Sequence, residues 1–298
     1  MAVVAACTDK GASRSVNQDA CCIQVARTSF GEVLMAVVCD GVGGLAAGEL
    51  ASATVVYRFA RWFNDELPRL LDGMDASAPI NLDVIQTVWG IMLTRLNETI
   101  RAYGQTNKLG LGTTFTGLLL CDDRYLIAHV GDCRAYLLGS RGMRQVTEDQ
   151  TLLTKMLREG KIAPQEATSF DRKHVILQSV GTEGILRPAY YEGTCAPSDL
   201  FVLCCDGAYR KAEDQGMHTF FERVDRTSEE DLRKACRSVV AYDMAHGEKD
   251  NLTVLAVSLG EQERAVSGRA TDEEDLPTMV ESPLDEEDLP TVVEGGEA

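Results

Sequence analysis

Five aspartates stand at the ends of apolar segments with the pattern of strands: Asp19, Asp40, Asp132, Asp206 and Asp250. A carboxylate just outside a buried strand lies where the backbone bends and solvent enters. Several such carboxylates, if they converge, repel one another unless cations neutralise them. Oxygen ligands without a histidine or cysteine partner favour Mg²⁺ or Mn²⁺ over zinc. Any one Asp-Gly pair is more often an ordinary turn, so the inference depends on the combination.

The segments that position these aspartates alternate in blocks of strands and helices. Apolar and β-branched runs predict strands over 21–30, 33–40, 113–120, 125–130, 134–138, 190–194, 200–205 and 252–259. Apolar residues at three- and four-residue steps predict helices over 46–71, 82–103, 152–159, 164–167 and 229–244. Short turns between neighbouring strands favour antiparallel pairing, and the blocks favour α+β layers over a parallel βαβ sheet.

Composition narrows the class of protein. The chain of 298 residues has 29 basic and 46 acidic residues and a net charge of -17, which argues against non-specific nucleic-acid binding. No apolar run is long enough to span a membrane, and the N-terminus lacks the basic and apolar pattern of a signal peptide. None of the ten cysteines forms a C-x-x-C pair, and most stand in apolar runs. We therefore expect a cytoplasmic protein with reduced thiols.

The last part of the chain has a different composition. We divide the protein into a folded domain over 1–260 and an acidic tail over 261–298. From Arg269 onward there are eleven acidic residues and one basic residue, and DEEDLPTMVE at 272–281 recurs as DEEDLPTVVE at 285–294. With so little apolar surface, the acidic tail is expected to be disordered.

Six short motifs, taken in order, resemble those of the metal-dependent Ser/Thr protein phosphatases, the type 2C-like or PPM family, in a bacterial-like form. The motifs are Arg14-x-x-Asn17-Gln18-Asp19, Asp40-Gly41-x-Gly43-Gly44, Gly112-Thr113-Thr114, Val130-Gly131-Asp132-Cys133-Arg134-Ala135-Tyr136, Asp206-Gly207 and Asp250-Asn251-x-Thr253. The resemblance spans about 8–259. It implies a four-layer α-β-β-α sandwich, with two antiparallel sheets flanked by helices. It also implies hydrolysis of phosphoserine and phosphothreonine in protein substrates by a metal-activated water.

The resemblance also implies roles for single residues. Asp40 would bridge two Mn²⁺ or Mg²⁺ ions, and the Gly41 carbonyl would bind one of them. Further metal ligands would be Asp206, Asp250 and Asp19, with Asp132 helping to bind a third ion. Arg14 would grip the substrate phosphate, because its planar fork of donors matches two phosphate oxygens.

The stretch 147–181 resembles the family's flap, which lies beside the active site. Three other positions depart from the family pattern. Val42 stands where eukaryotic relatives often have a histidine. Arg210 stands where an acidic residue is usual, so we expect it to weaken binding of the third ion or to contact phosphate. His129 replaces an asparagine and is interpreted as a locally hydrogen-bonded strand histidine.

Three alternatives stay open at this point. Cys204 to Arg210 fits the C-x5-R loop of cysteine-based phosphatases, although Asp206 inside it would repel phosphate and Cys204 lies in an apolar strand. The run 41–46 fits a loose dinucleotide-binding pattern. A degenerate, non-catalytic phosphatase-like binding module is the third.

The repeated tail segment suggests regulation. Thr278 and Thr291 occupy equivalent positions after Leu-Pro among acidic residues. We hypothesise that a cognate bacterial Ser/Thr kinase, which the enzyme would oppose, phosphorylates one or both threonines. A forkhead-associated domain protein would then read the phosphothreonine. The simpler interpretation is a solvated tail that aids solubility.

Overall fold

Two five-stranded antiparallel sheets stack face to face. The computed structural model describes residues 2–42, 47–196 and 198–258. The first sheet has the order β1-β10-β9-β6-β7, and the second has the order β2-β3-β4-β5-β8. The strands are β1 (Val3–Asp9), β2 (Asp19–Thr28), β3 (Gly31–Asp40), β4 (Phe115–Cys121), β5 (Arg124–Val130), β6 (Arg134–Gly139), β7 (Gly142–Gln145), β8 (Ala189–Thr194), β9 (Leu200–Cys204) and β10 (Leu252–Ser258).

Helices cover the outer face of each sheet. The helices are α1 (Gly48–Arg61), α2 (Leu67–Asp72), α3 (Leu82–Asn107), α4 (Leu152–Arg158), α5 (Ala212–Gln215) and α6 (Glu229–Ala245). Helices α1 and α3 pack on the second sheet, and α6 packs on β1 and β10 of the first. The four-layer α-β-β-α arrangement predicted above is confirmed. Among the described residues, no helix is both long enough and apolar enough to cross a bilayer.

Strand β3 shows why the sequence folds into four layers. Its residues 33–39 form an unbroken apolar run, and all of them are buried. Alternate side chains of a strand point to opposite faces. Val33, Met35 and Val37 therefore enter the core under α1 and α3, whereas Leu34 and Ala36 enter the core between the two sheets. A strand buried on both faces reads as continuous rather than alternating hydrophobicity.

The structure differs from the sequence expectations mainly at strand ends and in two short strands. β1 and β7 were not predicted, because Val3–Asp9 is rich in small residues and Gly142–Gln145 is largely exposed. The hairpin between β2 and β3 turns at Ser29-Phe30, since Thr28 pairs with Gly31, and not at residues 31–32, which separate the two strands predicted over 21–30 and 33–40. The helix expected over 46–71 is interrupted by a π-helical turn, Trp62–Glu66, and residue 46 lies outside the described residues.

Candidate active site

The sheet topology gathers the five predicted aspartates at one end of the sandwich. Asp19 begins β2 and Asp40 ends β3, and the antiparallel register pairs these two residues directly. Asp206 follows β9 and Asp250 precedes β10, so both stand at the same end of another antiparallel pair. Asp132 lies in the loop that crosses from β5 in the second sheet to β6 in the first.

Hydrogen bonds from neighbouring threonines fix the backbone at Asp40. The Asp40 N–H donates to Thr114 Oγ1 at 2.8 Å, and the Thr114 N–H donates to the Asp40 carbonyl at 2.8 Å. Thr113 Oγ1 donates to the same carbonyl at 3.0 Å. A Cβ on Gly41 would lie 2.6 Å from the Gln18 carbonyl oxygen, so only glycine fits there. The Gly112-Thr113-Thr114 motif therefore holds the strand end that presents the Asp40 carboxylate.

Asn251 joins the loop that carries Arg14 to the loop that carries Asp250. Its Oδ1 accepts from the Gln18 N–H at 2.9 Å, and its Nδ2 donates to the carbonyls of Lys10 at 2.8 Å and Val16 at 3.1 Å. The Asn251 side chain is buried, whereas Lys10 and Val16 are exposed. One amide thus fixes the two ends of the segment 10–18.

Asp19 is oriented by a hydroxyl on the opposite sheet. Thr253 Oγ1 donates to Asp19 Oδ2 at 2.6 Å and lies 2.9 Å from Thr8 Oγ1. The Asn17 side chain donates to Thr8 Oγ1 at 2.9 Å, and its Oδ1 accepts the Asp19 N–H at 3.2 Å. The other carboxylate oxygen of Asp19, Oδ1, is buried and has no hydrogen-bond partner among the described residues.

Burial and mutual repulsion raise the pKa values of Asp19, Asp40 and Asp206. Burial is the largest cause for Asp40, whose pKa lies well above its usual range, and the charges of Asp19, Asp206, Asp132 and Asp250 raise it further. The pKa of Asp19 rises to about 7, mainly by burial and against the hydrogen bond from Thr253. Burial raises the pKa of Asp206 to about 6, although its ion pair partner Arg210 opposes the shift. The charges of the five carboxyl groups therefore act on one another.

The donor set fits hard divalent cations. Asp19 Oδ1 and Asp206 Oδ1 are both buried without a partner among the described residues, so each offers a free ligand atom. Such orphaned, charged oxygens are costly unless a cation compensates them. The Cys205 thiol lies within 4.8 Å of ligand atoms of Asp19 and Asp40. Burial raises the pKa of that thiol well above its usual value, and its Sγ already accepts the Thr253 N–H at 3.1 Å. The arrangement is therefore an oxygen site rather than a thiolate site.

Two arginines stand against the carboxylates. Arg14 Nη2 lies 2.9 Å from Asp250 Oδ1, and the Arg14 side chain is 38 % exposed, so its guanidinium faces both the cluster and solvent. Arg210 forms an ion pair with Asp206 and lies 3.7 Å from both Asp250 Oδ2 and Glu248 Oε1. Glu248 is a member of the site that the sequence analysis missed. No motif marks it, although an acid two residues before Asp250 was a signal that could have been weighed.

The loop at Asp132 depends on glycine and on a stacked arginine. Gly131 has φ +105°, and a Cβ there would lie 2.6 Å from Thr114 Cγ2. The Tyr209 hydroxyl donates to the Asp132 carbonyl at 3.1 Å. The Arg134 guanidinium stacks 3.7 Å from the centre of the Tyr209 ring and forms a two-point pair with Asp149. The Asp132 carboxyl is buried, and burial raises its pKa well above the usual value.

Two further expectations can be compared with the structure. His129 is fully buried and its Nδ1 lies 2.9 Å from Thr116 Oγ1, as expected for a locally bonded strand histidine, and burial lowers its pKa to about 4. Cys204 is fully buried in β9, and burial raises the pKa of its thiol. Because the nucleophile of a cysteine-based phosphatase must be an accessible thiolate, this geometry disfavours that alternative.

Comparisons with known proteins show the family to which the chain belongs. The family model described as protein phosphatase 2C matches residues 8–239. The chain is 29 % identical over 225 residues to the serine/threonine phosphatase stp of Listeria innocua, covering 74 % of this chain and 82 % of that protein. The solved serine/threonine phosphatase of S. agalactiae is 25 % identical, with a TM-score of 0.72 over 87 % of this chain and all of that one. The catalytic domain of PstP in complex with two manganese ions is also 25 % identical, with a TM-score of 0.67 over 88 % of this chain and 100 % of that one.

Proposed function

Because the chain belongs to the protein phosphatase 2C family, we propose that it hydrolyses phosphoserine and phosphothreonine in protein substrates. The observation that carries this proposal is the convergence of five carboxyl groups at one end of the sandwich. Two of them, Asp19 and Asp206, have a buried oxygen without a hydrogen-bond partner among the described residues. The relatives are named Ser/Thr phosphatases, which agrees with a metal-dependent phosphatase. The enzyme therefore acts on phosphoproteins and requires divalent cations.

We assign the metal ligands as follows. Asp40 would bridge two ions and the Gly41 carbonyl would bind one of them, while Asp206 and Asp250 would hold the other. Asp19 would contribute a further carboxylate, and Asp132 would help to bind a third ion. Either Mn²⁺ or Mg²⁺ suits this donor set, since both are hard cations that prefer oxygen. Such cations supply a water of lowered pKa and neutralise charge that develops on the phosphoryl oxygens.

The side chains around the carboxylates position the reacting groups. Arg14 is exposed enough to receive a phosphate, and its planar guanidinium can donate to two phosphate oxygens at once. The ion pair with Asp250 holds that guanidinium at the edge of the carboxylate cluster before substrate binds. Thr253 holds Asp19 in one orientation, and Thr114 holds the Asp40 backbone. These hydrogen bonds reduce the reorganisation that binding and turnover would otherwise require.

Hydrolysis of p-nitrophenyl phosphate and of a phosphothreonine peptide tests the proposal. We expect the purified chain to be inactive after EDTA treatment and to recover activity when Mn²⁺ is added. Cys204→Ser should retain activity, because the buried thiol has no role in the metal mechanism. Full activity after exhaustive chelation, or loss of activity only in Cys204→Ser, would favour the cysteine-based alternative. No activity with any divalent cation would favour the non-catalytic binding module.

The partners and the compartment follow from the same proposal. A bacterial Ser/Thr kinase would supply the phosphoproteins that this enzyme dephosphorylates. Thr278 and Thr291 lie outside the described residues, and we retain them as sites for that kinase, to be read by a forkhead-associated domain protein. All ten cysteines are unpaired, which agrees with the predicted cytoplasmic location. Phosphoproteomics with the kinase present tests the tail hypothesis, and repeated absence of both phosphothreonines would contradict it.

A further inference from the structure

Arg210 occupies an unusual place among the carboxylates assigned to metal binding. Its guanidinium forms an ion pair with Asp206 through Nη2, and its Nη1 lies 3.7 Å from Asp250 Oδ2 and 3.7 Å from Glu248 Oε1. The Arg210 side chain is 23 % exposed and that of Glu248 is 8 % exposed, so water screens these charges only in part. One fixed positive charge therefore already lies against two of the predicted metal ligands.

The backbone around Arg210 and Glu248 is held by one buried residue, Asp243, through its side chain and its main-chain carbonyl. Asp243, in α6, is fully buried, and its Oδ1 accepts the N–H groups of Lys211 at 2.8 Å and Ala212 at 3.1 Å. The Glu248 N–H donates to the Asp243 carbonyl at 3.0 Å. Glu248 Oε1 in turn accepts the Asp250 N–H at 3.1 Å. Hydrogen bonds to Asp243 therefore position both Arg210 and its partner Glu248, in contrast to an ion pair between two mobile surface side chains.

We propose that Arg210 is a built-in cation of the carboxylate centre, which competes with a divalent cation for Asp206 and Asp250 and so weakens metal binding on that side. A carboxylate oxygen paired with the guanidinium must give up that contact, or share it, to bind a metal ion. A guanidinium a few ångströms away also repels the incoming dication. In return, Arg210 relieves carboxylate repulsion while no metal is bound. This inference rests on the proposed function, because it takes the carboxylate cluster to be a metal centre.

Calorimetric titration of the metal-free, full-length chain with MnCl₂ tests the proposal. We expect Arg210→Gln to bind Mn²⁺ about tenfold more tightly than the wild type, or to bind an additional ion, because the competing charge is gone. Arg210→Lys keeps the positive charge but lacks the planar guanidinium with its paired N–H donors. Its dissociation constant for Mn²⁺ should therefore lie between those of the wild type and Arg210→Gln. The matched control is Arg233→Gln, since Arg233 also pairs with an acid four residues away, Glu229, but on the surface of α6. This control should bind Mn²⁺ like the wild type.

A thermal-unfolding experiment provides a second readout that does not use activity. Without metal, Arg210→Gln should unfold at a lower temperature than the wild type, because Asp206 and Glu248 lose their counter-charge and Asp250 keeps only its pair with Arg14. Saturating Mn²⁺ should raise its unfolding temperature by more than it raises that of the wild type. Should Arg210→Gln fail to fold without metal, Arg210→Lys still tests the inference, because it should bind Mn²⁺ more tightly than the wild type.

Three results would overturn the inference, and they lead to two distinguishable conclusions. If the wild type and all variants bind Mn²⁺ with equal affinity and stoichiometry, the centre binds metal but Arg210 does not compete. The same conclusion follows if Arg210→Gln and Arg210→Lys bind Mn²⁺ more weakly, since Arg210 would then support the ligands. If no form binds Mn²⁺, the metal centre itself is wrong, and the proposed function fails with it.

Discussion

Replacing Asn251 with alanine should remove the hydrogen bonds that connect the loop carrying Arg14 to the loop carrying Asp250, and so destabilise the protein. The change removes three hydrogen bonds, to the Gln18 N–H and to the carbonyls of Lys10 and Val16. At a net value of about 1 kcal/mol each, the loss is about 3 kcal/mol. Water can reach the carbonyls of the exposed residues Lys10 and Val16 after the change and replace part of the lost bonding. We therefore expect the free energy of unfolding to fall by about 2–3 kcal/mol.

Urea unfolding of the metal-free protein measures this loss directly. Asn97→Ala is a suitable control, because Asn97 is also buried but its side chain accepts one hydrogen bond, from the Gly181 N–H at 2.8 Å. We expect that control to lose about 1 kcal/mol. In the Mn²⁺-loaded enzyme, Asn251→Ala should also raise the KM for p-nitrophenyl phosphate, since the segment that carries Arg14 loses the hydrogen bonds that anchor its two ends. A stability loss no greater than that of Asn97→Ala would refute the reasoning.

Three other predictions concern the carboxylates and Arg14. Asp40→Asn should lower kcat/KM by at least about a hundredfold with an unchanged circular dichroism spectrum, because it removes a charge assigned to both metal ions; activity near that of the wild type would contradict the assignment. Arg14→Ala should raise the KM about tenfold and lower kcat/KM, with its effect seen in initial-rate kinetics; an unchanged KM would count against phosphate binding by Arg14. The raised pKa values of Asp19 and Asp206, about 7 and about 6 against 3.8, mean that the folded metal-free protein binds protons that the unfolded chain has released. Its free energy of unfolding should therefore fall as pH rises from about 4 to about 7. Urea titrations should show a shallower fall in Asp19→Asn, and an equal slope in both proteins would argue against the shift.

The sequence predicted most of the fold because long apolar runs report burial. Strand β3 is buried on both faces and α3 has one apolar face, so their patterns are strong. The short strands were missed for the opposite reason. β7, with its four largely exposed residues, and β1, with its small side chains, are strands because they pair with β6 and β10. Their structure comes from the partner strand, which a local pattern does not contain.

The sequence by itself predicted which carboxylates converge. Asp19, Asp40, Asp132, Asp206 and Asp250 each stand at a strand end, and strand order together with antiparallel pairing requires them to meet at one end of the sandwich. The structure confirms that they meet, while their individual roles as ligands stay predictions.

Only the tertiary structure decided what surrounds those carboxylates. Asn251 bonds to residues more than 230 positions away, Thr253 reaches Asp19 from the other sheet, and Glu248 stands beside Arg210. Such contacts depend on how two sheets stack and on where a buried residue such as Asp243 fixes a loop. The spacing of these residues along the chain does not predict their contacts, because the contacts depend on how the layers pack.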